Sequence, residues 1–93
     1  MKAIVNAHVV MKDYVIRDGV VLFDGDKIVS VGKASEIEIP KNADIIDAEY
    51  NYVGPGLIDI HTHAAAKTYF IDDPKKCSED LLKHGVTSVM PAL

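Results

Sequence analysis

Short runs of alternating hydrophobic and polar residues fill the first half of the chain, a pattern typical of β-strands. The predicted strands cover residues 2–5, 8–10, 14–16, 19–23, 27–32, 44–48 and 52–53, with a loop over 33–42. Asp24-Gly25-Asp26 predicts a hairpin turn, because Asp-Gly accepts positive φ. Short strands at this close spacing predict a β-sandwich or half of one.

The pattern changes at a proline between two glycines, Pro55, which ends the preceding strand. Residues 57–60 are apolar and rich in β-branched side chains, which predicts a buried strand leading into His61 and His63. Because side chains alternate along a strand, both histidines and Asp59 are expected on one face. Neutral imidazole is a common ligand of zinc and related ions, so the pattern favours a divalent metal site at His61 and His63. The alternative is a polar face on an exposed strand.

A helix and one more strand are predicted after the histidines. Residues 64–71 form an apolar loop, Asp73 is the expected N-cap, and Pro74 occupies the first helical position. Gly85 is expected to end the helix in the left-handed conformation. Residues 86–90 then form a strand, so this part of the chain predicts a right-handed βαβ unit.

Composition and charge narrow the classes of partner. The chain has 93 residues, 48% hydrophobic and 26% charged, with a net charge of −4 and no cluster of Lys and Arg, which argues against nucleic acid. Its apolar runs are too short to span a membrane, and the N-terminus is interrupted too early for a signal peptide. We therefore expect a cytoplasmic protein. The single cysteine, Cys77, is interpreted as a small packing residue.

The segment Val-Gly-Pro-Gly-Leu-Ile-Asp-Ile-His-Thr-His, residues 53–63, resembles the first barrel strand of the amidohydrolase superfamily, metal-dependent hydrolases built on a (β/α)8 barrel. The resemblance extends over residues 25–32, 45–48 and 85–91. It implies a mainly β chain with one α/β unit: residues 1–54 as the N-terminal part of a composite β-sandwich, and residues 55–93 as the first βαβ unit of a truncated barrel. Because such a barrel needs about 250 residues, we expect an N-terminal fragment.

The same resemblance implies that His61 and His63 bind one divalent metal, most often zinc. Further ligands then come from later strands, and an aspartate near the end of the enzyme acts as the general acid and base. Asp59 is interpreted as a residue that supports the two histidines. The resemblance therefore assigns metal ligands to this chain but no catalytic residue and no site for an organic cofactor.

Residues 85–93 look most like the N-acetylglucosamine-6-phosphate deacetylase branch. This implies an enzyme of amino sugar metabolism that deacetylates an N-acetyl amino sugar phosphate with metal-activated water. That branch usually has glycines after the second histidine, where this chain has Ala64 and Ala65. A dihydroorotase-like enzyme would carry arginine at the position of Ala65, and it remains an alternative together with deaminases.

A third alternative is a non-catalytic fragment that associates with itself. Strands that lack their neighbours leave unpaired edges and apolar faces, which favour pairing with other chains. We therefore expect a homo-oligomer. The small-molecule substrate belongs to the complete enzyme, and the isolated chain is expected to be inactive.

Overall fold

Strands make up most of the secondary structure, and the described residues contain one α-helix, as predicted. The computed structural model describes residues 1–92. These residues divide into two units, the first Met1–Pro55 and the second starting at Gly56. Whether residues 1–54 belong to a composite sandwich, and residues 55–93 to a barrel, stays a prediction.

The first unit is built on one mixed sheet. Its strands are β1 (Lys2–Val10), β2 (Val15–Asp24), β3 (Lys27–Lys33), β4 (Asp44–Asp47) and β5 (Tyr52–Val53). The order is β3-β2-β1-β4, and β5 also pairs with β1. β1 is antiparallel to β2 and parallel to β4 and β5. The predicted hairpin is confirmed, with Gly25 at φ 58° between β2 and β3.

The sequence predicted a break within each of the first two long strands, and this was wrong. β1 and β2 run through both points, with shifts in their pairing on either side of Ala7, which lies opposite Gly19. Asn6 and Asp18 have φ values of 53° and 51°, a conformation that Asn and Asp tolerate better than most residues. A side chain at Gly19 would place its Cβ 2.6 Å from Val9 Cγ2. The polar residues therefore mark irregularities inside paired strands.

Apolar residues pack on both faces of this sheet. One buried cluster consists of Ala7, Val9, Ile16 and Val21. The other consists of Ala3, Val20 and Leu22, with Ile37 and Ile39 packed against it. Val21 alternates with its neighbours Val20 and Leu22, so the clusters lie on opposite faces. The predicted loop after β3 thus covers part of one face with its two isoleucines.

The second unit contains a strand–helix–strand arrangement. Its elements are β6 (Leu57–Thr62), β7 (Ala64–Ala65), β8 (Thr68–Tyr69), α1 (Pro74–Lys83) and β9 (Val86–Pro91). β6 and β9 are parallel, as predicted for strands joined through a helix. β7 and β8 form a small antiparallel hairpin where the sequence predicted a loop.

The ends of α1 follow their sequence signals. Asp73 is the N-cap, and its Oδ1 accepts a hydrogen bond from the Lys76 backbone N–H at 3.0 Å. Pro74 begins the helix, where its missing N–H costs no hydrogen bond. Gly85 follows the C-cap with φ 85°. No helix among residues 1–92 has the length and apolar character needed to cross a membrane.

Candidate metal centre

The two histidines lie at the carboxyl end of β6. β6 is held from one side by β9: Leu57 pairs with Val86, and its backbone N–H donates to the carbonyl of Gly85 at 2.8 Å. At the other end, the Ala92 N–H donates to the carbonyl of Thr62 at 2.8 Å. The parallel pairing therefore extends to the residue between the two histidines.

The imidazoles of His61 and His63 are neighbours, with ring centroids 4.9 Å apart and ring planes at 87°. Both side chains are exposed. Two nitrogen ligands of one zinc ion, each about 2.0–2.1 Å from it, lie roughly 3 Å apart, a separation that rings this close can supply. The pair therefore fits two positions of a metal site.

Asp59 is half-buried, and its Oδ1 accepts a hydrogen bond from the backbone N–H of His61 at 3.1 Å. The contact is with the main chain, so it fixes the backbone at His61 and does not orient a ring. Whether Asp59 supports the two histidines as metal ligands stays a prediction. The sequence predicted that Asp59 and His61 would lie on one face, but it did not predict the hydrogen bond between the Asp59 carboxylate and the His61 backbone.

A complete metal site needs more than these two rings. Structural zinc sites use four protein ligands, and catalytic ones usually three. Within residues 1–92, no group of three His, Cys, Asp or Glu side chains is placed to hold a metal ion. The ligand roles of His61 and His63, and the completion of their site by later strands, therefore stay predictions.

The strand that carries the histidines was expected to be buried, but in the described residues it is not. Leu57, Ile58 and Ile60 have relative exposures of 60%, 69% and 74%. β6 pairs only with β9 in the sheet that the structure describes, which leaves most of its apolar surface uncovered. Its composition is thus that of a buried strand, while its surroundings within residues 1–92 are those of an exposed one.

The hairpin β7–β8 begins immediately after His63. The Phe70 N–H donates to the carbonyl of His63 at 2.9 Å, so His63 and Phe70 close the base of the hairpin. Phe70 is 3% exposed. The backbone of the second histidine is therefore tied both to β6 and to a packed hairpin.

Cys77 is fully buried, as expected for a packing residue. Its Sγ lies 3.1 Å from the carbonyl oxygen of Thr68 and 3.5 Å from that of Ala65, so the thiol contacts both strands of the hairpin. α1 therefore holds the hairpin through its one buried side chain. The sequence predicted that Cys77 would be a packing residue but not which residues it would contact.

His8 lies within the central strand β1, half-buried, with its ring 5.3 Å from that of Tyr52 and 6.2 Å from that of Tyr50. Its Nδ1 is buried without a hydrogen-bond partner among residues 1–92. These contacts describe a histidine packed against two tyrosines of the first unit.

Comparison with known proteins shows where this arrangement occurs. No protein-family model matches the chain. Curated relatives include an adenine deaminase from Clostridium perfringens, 36% identical over 72 residues that cover 77% of this chain and 12% of that protein. An imidazolonepropionase from Alkaliphilus metalliredigens is 43% identical over 53 residues, or 54% of this chain and 13% of that protein. A dihydroorotase from Mycobacterium leprae is 46% identical over 43 residues, 46% and 10% of the two chains.

Solved structures share the backbone arrangement over nearly the whole chain. N-acetylglucosamine-6-phosphate deacetylase from Pasteurella multocida superposes with a TM-score of 0.77 and 27% identity, covering 97% of this chain and 24% of that one. D-hydantoinase from Bacillus sp. AR9 superposes with a TM-score of 0.78 and 30% identity, covering 98% and 20%.

The chain thus spans about an eighth of the length of the first curated relatives and about a quarter of the deacetylase. The relatives in sequence are enzymes that catalyse several different reactions. The similarity to solved structures covers residues of both units. Through these shared features the chain belongs to the amidohydrolase superfamily.

Proposed function

We propose that this chain is the N-terminal part of a metal-dependent hydrolase acting on non-peptide C–N bonds, and that His61 and His63 are two of its metal ligands. The observation that carries the proposal is the pair of adjacent imidazoles, 4.9 Å apart, at the carboxyl end of β6. Barrel enzymes keep their active sites at this end of their strands.

In this proposal His61 and His63 hold a divalent ion through neutral ring nitrogens, a type of ligand that favours zinc. The bound ion would supply Lewis acidity and a water whose pKa is lowered to about 7. Asp59 fixes the main chain at His61, and the hairpin after His63 fixes the other ligand. The remaining ligands and the general base come from outside this chain.

The same proposal makes β6, α1 and β9 the first strand–helix–strand of a (β/α)8 barrel. Their order and the parallel pairing of β6 with β9 agree with it. So does the exposed apolar surface of Ile58, Ile60 and Met90, at 69%, 74% and 65%, because further strands and helices would cover such residues. The first unit would be completed into a sandwich in the same way.

For the substrate, we propose an N-acetyl amino sugar phosphate, deacetylated by the complete enzyme. The structural similarity to the deacetylase from Pasteurella multocida supports this, together with the Met-Pro-Ala-Leu stretch after residue 89. Similarity in sequence to an adenine deaminase and a dihydroorotase favours the second candidate, hydrolysis of a cyclic amide or amine. Either substrate is a small molecule, and we place the enzyme in the cytoplasm as a homo-oligomer.

The test is to assay the protein encoded by the complete reading frame. The purified, zinc-loaded enzyme is offered N-acetylglucosamine 6-phosphate, dihydroorotate and adenine at equal concentrations. Release of acetate from the first substrate, abolished by a chelator and restored by zinc, is the expected result. Turnover of dihydroorotate or adenine alone would select the second candidate and reject the deacetylase.

A further inference from the structure

The turn of the hairpin β7–β8 has an unusual backbone for its residues. Ala66 and Lys67 connect the strands, with φ values of 52° and 59°. A two-residue turn with both φ values positive is of type I′, for which Asn-Gly is the preferred sequence. An L-residue with a side chain rarely adopts this conformation, because its Cβ lies too close to the following carbonyl oxygen. Elsewhere in the described part of the second unit, only Gly85 has positive φ.

The surrounding contacts hold this turn in place. Ala65 pairs with Thr68 and Ala64 with Tyr69, and the Thr68 hydroxyl donates to the carbonyl of Ala66 at 3.3 Å. Phe70, at 3% exposure, anchors the second strand. The left-handed turn is therefore held by defined contacts. Strained backbone conformations of this kind often occur at functional sites.

Beside the turn lies a shallow depression of about 250 Å³, lined by Ala64, Lys67, Thr68 and Tyr69. Lys67 is exposed and forms no salt bridge with any residue in the described part of the chain. Its ammonium group can therefore donate a hydrogen bond to a ligand without first breaking an ion pair. The phenol of Tyr69 adds a second hydrogen-bonding group to this surface, whereas the hydroxyl hydrogen of Thr68 is already donated to the carbonyl of Ala66.

The depression is next to the candidate metal centre along the chain. Its first lining residue, Ala64, directly follows His63, and the hydrogen bond from Phe70 to His63 joins the base of the hairpin to that ligand. We propose that Lys67, presented by the strained turn, binds an oxyanion group of the substrate, a phosphate or a carboxylate. The assignment deepens the proposed function and rests on it for the identity of the ligand as a substrate.

The test measures anion binding directly, in the metal-free full-length protein, so that no metal competes for the anion. Inorganic phosphate is titrated while backbone amide shifts of residues 64–70 are followed by NMR, with acetate at matched ionic strength as a second arm. Saturable shifts in the hairpin are expected. Binding about tenfold weaker in Lys67→Met and retained in Lys67→Arg would support the assignment, because only the methionine variant loses the charge-assisted hydrogen bond.

Lys76→Met is the matched control, since it removes a lysine of the same unit from the helix. No saturable shift, or equal binding by wild type and Lys67→Met, overturns the proposal. Stronger binding of phosphate than of acetate identifies a phosphate subsite, and the reverse identifies a carboxylate subsite. The proposed function fails separately, if the His61→Ala/His63→Ala variant keeps its metal; hairpin binding would then stand without a metal centre beside it.

Discussion

Gly56 has less room for a side chain than Gly85, the other glycine of the second unit. A Cβ at this position would overlap the side chain of Thr87, whose Cβ lies 2.7 Å from it. The two strands approach closely there because Leu57 pairs with Val86 at the start of the parallel ladder. By contrast, a Cβ at Gly54, two residues earlier, would be 3.6 Å from the nearest atom, Val10 Cβ, an ordinary contact.

We therefore predict that Gly56→Ala destabilises the second unit by about 1–3 kcal/mol, the cost of overpacking. Gly54→Ala is the matched control and should change stability by less than about 0.5 kcal/mol. Urea unfolding of the two variants, followed by the amide signals of β6 and β9, measures the difference. Equal stability of the two variants would contradict the close approach of Gly56 and Thr87.

At this scale the sequence predicts residues whose signals are local. Asp73 and Gly85 were identified as helix ends because capping depends on side-chain and backbone chemistry within one turn. The contact of Asp59 with the His61 backbone was not predictable, because an alternating pattern gives the face of a side chain and not its hydrogen-bond partner. The ligand roles of His61 and His63 stay predictions.

Among the elements, the hairpin β7–β8 was missed because its sequence carries no turn signal. Ala66 and Lys67 occupy the two turn positions, where Asn and Gly would have predicted a type I′ turn. The strand breaks predicted in β1 and β2 failed for the opposite reason, since Asn6 and Asp18 resemble turn residues but lie at irregularities of a continuous ladder. In β1 and β2 the pairing between the two strands decided the structure, whereas in β7–β8 it was a local turn without its preferred residues.

Replacing the turn by its preferred sequence should stabilise the hairpin. We predict that Ala66→Asn combined with Lys67→Gly raises the free energy of unfolding by roughly 1 kcal/mol, because both left-handed positions become less costly. Thermal unfolding of the full-length protein is the measurement. The same variant should lose phosphate binding at residues 64–70, and a gain of stability with unchanged binding would contradict the role of Lys67.

The cap of α1 gives a second prediction for an element. Asp73→Ala should destabilise the second unit by about 0.5–2 kcal/mol, because the Lys76 N–H loses its acceptor. Asp72→Ala removes the neighbouring carboxylate, which accepts no hydrogen bond from the described residues, and serves as the control. If the two variants unfold at the same urea concentration, Asp73 contributes nothing as a cap.

For the whole chain, the distribution of exposed apolar residues is the main feature. The side chains of Ile28 and Ile45 lie on strands β3 and β4, at the two ends of the sheet order, and are 72% and 56% exposed. Exposed strand edges with apolar residues favour pairing with another chain. The family membership was predictable from residues 53–63, because a short motif is local in the sequence, whereas the exposure of side chains such as Ile28 and Ile45 depends on packing between distant parts of a chain.

We predict that the 93-residue chain associates with itself, and that the association weakens when charge is added to these edges. Sedimentation velocity over a range of concentrations should show a rising average mass, which Ile28→Lys and Ile45→Lys reduce. Tyr14→Lys, at a residue that is 62% exposed and outside the strands, is the control and should have no effect. A wild-type monomer at all concentrations would count against this prediction.

The central claim is that His61 and His63 bind the metal of a hydrolase, and metal content tests it most directly. The full-length protein and its His61→Ala/His63→Ala variant are purified identically, and bound zinc is measured by mass spectrometry alongside circular dichroism. His84→Ala, at the exposed C-cap of α1, is the control. We predict close to stoichiometric metal in wild type and control, and little metal in a double variant that remains folded. Stoichiometric metal in the folded double variant would show that these histidines are not the ligands.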